Sequence, residues 1–130
     1  MEPINSMQKL FLLAASIFGI LGTIIDAFGT HKFAPYLREV GRLDTFETAI
    51  KYQFYHTFVL LVIGVLLFNS QPKMLIYAGY SFILGIIIFS GSLYILCATG
   101  ITRLGIITPI GGLAFITGWI LLAVGFYKSL

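Results

Sequence analysis

Four long apolar runs constrain this chain more than any other feature in it. They cover residues 10–28, 54–68, 75–98 and 106–127. A hydrocarbon core near 30 Å thick asks for about 20 apolar residues per helix. Inside lipid the backbone must satisfy its own hydrogen bonds, so such runs are helices. Strands of a membrane barrel would alternate apolar and polar residues, and these runs do not. Composition closes the soluble alternative: 58% of residues are hydrophobic and 10% charged, against roughly 25% charged in an average globular chain. A single domain of 130 residues could not bury that much apolar surface in water, so lipid is its solvent. The same figures exclude a disordered chain, a nucleic-acid binder and a disulfide scaffold. Cys97 is the sole cysteine, which rules out an internal disulfide and a cysteine-based metal cage. The fold expected is an all-α integral membrane four-helix bundle forming one transmembrane domain.

Lys9 precedes the first run and Ala27 lies near its end, as in a signal peptide. The stretch is long, glycine-rich and closed by Asp26, and is read here as a span. Short connections after the second and third spans make sequential helices antiparallel neighbours and put both termini on one side. That side carries Lys9, Lys73 and Lys128; the other carries Lys32, Arg38, Arg42, Lys51 and Arg103. The excess favours a cytoplasmic first loop.

The segment 29–51 holds most of the charge. Pro35 can start a short interfacial helix that Gly41 would end. Asp44-Thr45-Phe46-Glu47 reads as a capping box, so the second helix begins near Asp44, ahead of its apolar part. Tyr52 and Tyr55 then mark the headgroup level, and the span proper covers residues 52–68.

Helices in lipid associate through close packing of small residues. The first helix offers Ala15, Gly19 and Gly22, the third Ala78, Ser81, Gly85 and Ser92, and the fourth Gly111, Ala114, Gly118 and Gly125. The second offers only Gly64, in line with Gln53, His56, Thr57 and Leu60. Thr108-Pro109 permits two readings. Thr108 caps the fourth helix with Pro109 in its first turn, or the helix starts near Thr102 and Pro109 kinks it.

Ionisable residues at membrane depth are functional suspects. Asp26, His31, Glu47, Lys51 and His56 all fall toward one end of the bundle, and Asp26 can reach either histidine. One reading is a proton, quinone or ion path. The other, favoured here, is that these groups tie the long loop to the bundle through hydrogen bonds. A b-type haem between His31 and His56 is set aside because His31 lies outside the hydrocarbon. A zinc site lacks any short ligand spacing. Neither cofactor nor metal is expected. Ser90-Gly91-Ser92 offers hydroxyls near the end of the third helix but no base, Trp119 fills space in the fourth, and Cys97 is a small buried residue.

Four stretches carry a resemblance to a known family. They are Ala27-Phe28-Gly29-Thr30-His31, then Phe46-Glu47-Thr48-Ala49 with Tyr52-Gln53-Phe54-Tyr55-His56. Phe89-Ser90-Gly91-Ser92-Leu93-Tyr94 follows, and last Thr108-Pro109-Ile110-Gly111-Gly112 with Gly118-Trp119. In order and spacing the chain resembles the small four-span membrane proteins called domain of unknown function 423, whose eukaryotic counterpart is transmembrane protein 256. His31, Glu47, Gln53 and His56 carry over as motif positions. Asp26 does not, because family members usually have a small residue there. The resemblance implies a four-helix protein of the bacterial inner membrane and no particular chemistry.

The function expected is therefore non-enzymatic, as an accessory subunit of a larger membrane complex. The partners expected are the lipid bilayer and either such a complex or further copies of the chain. The alternative is a small oligomeric transporter or channel with a polar vestibule at the His31, Glu47 and His56 end.

Overall fold

Helix α1 (Ser6–Phe28) begins ahead of its apolar run, because Asn5 and Gln8 close its start as a reciprocal capping box. The Gln8 N–H donates to Asn5 Oδ1 at 2.9 Å. The free amide arms of the same two residues reach across the bundle. Asn5 Nδ2 donates to the Leu67 carbonyl at 2.9 Å, and Gln8 Nε2 to the Gly64 carbonyl at 3.0 Å. One pair of side chains thus satisfies orphan donors at the start of one helix and carbonyls near the end of another. This is a computed structural model that describes residues 3–129.

Helix α1 does not stop at the end of its apolar run. It widens through a π-helical turn (Gly29–Phe33) and continues as α2 (Ala34–Glu39). Pro35 lies in the first turn of α2. It cannot donate to the carbonyl four residues back, and the widened turn accommodates its ring. Gly41, at φ +72°, ends α2. The interfacial helix expected from Pro35 and Gly41 is present, but it is the tail of a 34-residue rod rather than an island in a loop.

Helix α3 (Leu43–Leu66) departs from the capping box expected at Asp44. Its cap is Arg42, without a side-chain hydrogen bond, and Asp44 lies inside the first turn. There its carboxylate suits the positive end of the helix dipole. The third span divides into α4 (Lys73–Gly85), a second π-helical turn (Ile86–Ser90) and α5 (Gly91–Thr99), which Gly100 closes in the left-handed conformation at φ +76°. A 3₁₀ turn (Thr102–Ile106) leads into α6 (Thr108–Ser129). Pro109 occupies the first turn of α6, as the first of the two readings had it. Thr108 is the first residue of α6 rather than its cap, and its hydroxyl lies 3.3 Å from the Leu104 carbonyl and 2.7 Å from Ser92 Oγ.

No strand occurs among the described residues, and four helical segments are long and apolar enough to cross a membrane. Helix α1 packs along α3, α4 packs along α6, and α3 against α4–α5 joins the two pairs. Aromatic rings seated on glycines make the tightest contacts. The Phe11 ring covers Gly79, Phe115 covers Gly85, Phe82 covers Gly118, and Phe46 covers Gly29. At Gly111 the neighbour is backbone: an added Cβ would sit 2.8 Å from Phe89 Cα. Gly22 leaves room for the Gln53 amide, 2.9 Å from where a Cβ would be. Gly19, expected in a packing face, has nothing within 4 Å. Its part of α1 faces outward.

Candidate functional site

The centre of interest lies on α3, where Gln53 and His56 are both buried. Gln53 bridges two other helices. Its Nε2 donates to the Phe18 carbonyl of α1 at 2.7 Å, and its Oε1 accepts the Tyr94 hydroxyl of α5. His56 turns toward α6. Its Nε2 is 3.1 Å from Trp119 Nε1, and its Nδ1 is 2.7 Å from the Tyr52 carbonyl. An indole nitrogen can only donate, so His56 Nε2 must accept. The imidazole proton therefore sits on Nδ1 and is donated to Tyr52, which makes the ring neutral with both nitrogens satisfied.

Aromatic rings enclose this imidazole. Phe115 stacks on it with centroids 3.6 Å apart and planes 7° from parallel. Phe82 and Trp119 approach at 5.5 and 5.8 Å. Tyr52, expected as a headgroup marker, stacks on Phe89 at 4.7 Å. Between α3 and α6 a groove of about 700 Å³ opens beside the ring, lined by Tyr52, Tyr55, Phe58, Phe115, Ile116 and Trp119. Trp119 is 45% exposed, so it is a wall of this groove as well as the partner of His56.

Hydroxyls extend the polar interior toward the α2 end. Ser90 Oγ donates to the Ala49 carbonyl at 2.7 Å, and Ser92 joins Thr108. The π-helical turn ends at Ser90. It sets Phe89 against Gly111 and carries the Ser90 hydroxyl onto α3. Cys97 is buried, with Sγ 3.8 Å from the Arg42 carbonyl.

The structure does not gather the five-residue polar cluster into one site. Glu47 and His56 are nine residues apart on α3, about two and a half turns at 3.6 residues per turn, so they point to opposite faces. Asp26, Arg38 and Glu47 line a separate small groove of about 120 Å³ at the α1–α2 junction. Asp26 is exposed there and accepts the Thr30 hydroxyl at 3.2 Å. His31 is exposed on the π-helical turn. Neither Asp26–histidine contact is formed: the partner of Asp26 is Thr30, His31 makes no bond to it, and His56 has both nitrogens engaged elsewhere. Among the described residues no group of three or more His, Cys, Asp or Glu side chains could hold a metal.

Sequence reasoning missed Gln8, Tyr94 and Trp119 as partners of the polar interior. For Gln8 a signal existed, since Asn5-Ser6-Met7-Gln8 has capping-box spacing. For Trp119 the hint was a polar-tipped ring in mid-span, which needs a hydrogen-bond partner once buried.

Comparison with known proteins agrees with this architecture. Residues 25–112 match the family model described as Protein of unknown function (DUF423). A UPF0382 membrane protein of Staphylococcus haemolyticus is 39% identical over 121 residues, covering 93% of this chain and 98% of the relative. The UPF0382 membrane protein YwdK of Bacillus subtilis is 37% identical over 124 residues, covering 95% and 100%. The UPF0382 inner membrane protein YgdD of Escherichia coli is 30% identical over 118 residues, covering 91% and 89%. No solved structure matches the chain. With a bundle of four apolar helices, a family model matched over residues 25–112 and relatives matched over most of both chains, the chain belongs to the DUF423 family of membrane proteins.

Proposed function

We propose that this protein is a non-enzymatic accessory subunit of a larger complex in the bacterial inner membrane. The observation that carries the reading is an exposed row of small and polar residues along α1, whose last members, Asp26 and Thr30, border the small groove shared with α3. Ser16, Gly19, Thr23, Asp26 and Thr30 follow one another at alternating three- and four-residue spacing. The four polar ones are exposed, and Gly19 is open to its surroundings. The hydroxyls of Ser16, Thr23 and Thr30 donate within their own helix, so they present small side chains without free donors. The Asp26 carboxylate is the group for which lipid is a poor neighbour and a second helix a good one. The interior supports a non-enzymatic role, because Gln8, Gln53, His56, Ser90 and Ser92 are each committed to hydrogen bonds within the bundle. The inner-membrane placement rests on the printed name of the Escherichia coli relative.

Purification of the tagged chain from its native membrane in mild detergent, with mass spectrometry of co-eluting proteins, tests this. A stoichiometric partner that is lost in Gly19→Leu and Thr23→Leu is the expected result. Elution as a lone monomer would overturn the reading. The rival oligomeric transporter draws no support from the arrangement, in which Glu47 and His56 share no vestibule. Liposomes containing the protein are expected to show no flux of protons, ions or small solutes.

A further inference from the structure

Where α1 runs into α2, an open-sided pocket of about 590 Å³ lies between the rod, α3 and α5. That is within the roughly 300–1,000 Å³ typical of small-ligand sites. Its walls come from Ile25 of α1, Phe33 and Leu37 at α2, Phe46 of α3, and Cys97 and Ala98 of α5. All of these lie near the ends of the apolar runs, at the level where hydrocarbon gives way to headgroups. The Tyr94 hydroxyl in its wall is already given to Gln53.

Arg42 lies next to the lining rather than in it. Its N–H donates to the Leu37 carbonyl at 2.7 Å, and its own carbonyl takes the Cys97 thiol, so its backbone is bonded to two wall residues. Its guanidinium lies beside Gly100, 3.4 Å from where a Cβ would be, just past Ala98. Arg42 is partly buried, and among the described residues its guanidinium forms no ion pair with a carboxylate and gives no hydrogen bond to a protein acceptor. An apolar pocket with an unpaired arginine beside its wall matches an amphiphile that carries an anion and a long chain. Guanidinium and phosphate oxygens form charge-assisted, often bidentate, hydrogen bonds.

We propose that this pocket binds one anionic phospholipid of the surrounding bilayer, with an acyl chain against Leu37, Phe46 and Ala98 and the phosphate on Arg42. The site is independent of any partner on α1. Native mass spectrometry of the delipidated full-length protein in detergent tests it, with phosphatidylglycerol and phosphatidylcholine of identical chains as probes and inorganic phosphate as competitor.

The expected result is one retained phosphatidylglycerol, preferred about tenfold over phosphatidylcholine, a ratio equivalent to about 1.4 kcal/mol. Inorganic phosphate is expected not to displace it, because the chain supplies much of the binding. Arg42→Gln should bring the two lipids to equal retention, and Ala98→Trp, which fills the pocket, should lower both. Equal retention of the two lipids by the unaltered protein would overturn the proposal, as would undiminished binding in Ala98→Trp. Displacement by inorganic phosphate would reduce the site to a free-anion site and overturn the lipid assignment. If Arg42→Gln loses its helical circular dichroism, the lipid ratio of the unaltered protein and the Ala98→Trp variant decide between these outcomes.

Discussion

His56 shows how a polar side chain becomes tolerable inside a membrane helix. Its Nδ1–H donates to the Tyr52 carbonyl of its own helix, and its Nε2 accepts a hydrogen bond from the Trp119 indole N–H of another. Phe115 and Phe82 cover the ring. An imidazole with a free nitrogen would leave a desolvated acceptor, so the Trp119 contact fixes which face of α3 meets α6. Such bonds in membranes average about 0.6 kcal/mol and reach about 1.7 kcal/mol, because the separated helices also find partners. A double-mutant cycle of His56→Phe and Trp119→Phe, measured by unfolding in detergent, should therefore give a coupling of about 0.6 to 1.7 kcal/mol. A coupling of zero would mean that the two rings merely pack.

At the scale of the helices, glycine alone does not tell which face is packed. Gly111 and Gly19 look alike in the sequence, each in an apolar run with small residues nearby. Gly111 meets the Phe89 backbone, which cannot rotate away, whereas Gly19 meets nothing. Gly111→Ala should destabilise the bundle by about 1–3 kcal/mol through overpacking. Gly19→Ala should be neutral or stabilise by up to about 1 kcal/mol through helix propensity. Unfolding of both variants in the same detergent checks the contrast. The π-helical turns belong to this scale too. The one at Gly29–Phe33 has a visible cause in Pro35. The one at Ile86–Ser90 has none within its own residues, and it is the packing of Phe89 on Gly111 and of Ser90 on Ala49 that fits it.

For the whole molecule, the ends of the bundle differ in charge. Lys32, Arg38, Arg42, Lys51 and Arg103 gather at the α2 end, against Lys9, Lys73 and Lys128 at the other. Juxtamembrane basic residues are retained in the cytoplasm. A C-terminal alkaline phosphatase fusion, active only outside the cytoplasm, should therefore be active, and a C-terminal fluorescent protein that folds only in the cytoplasm should be dark. The reverse pair of results would invert the topology. The proposed lipid site lies at the same basic end, so this experiment also decides which leaflet supplies its ligand.

The membrane class, the four spans, the antiparallel order and the short helix between Pro35 and Gly41 are all legible in the chain. They follow from local quantities: run length, connection length and backbone restrictions of proline and glycine. Part of the interior was legible as well, since Gln53, His56 and Gly64 share one line on α3. What those side chains touch was not. The Gln8–Gly64, Gln53–Tyr94 and His56–Trp119 bonds span 56, 41 and 63 residues. Which partner each finds depends on how four similar apolar rods rotate against one another. That rotation is set by rings settling onto glycines and by polar groups avoiding lipid, and both depend on a neighbour that the local sequence does not contain. For the same reason His31, Asp26 and Glu47 looked like companions of His56. They share its end of the bundle but not its face of the helix, and helical phase relative to a neighbour exists only in the tertiary structure.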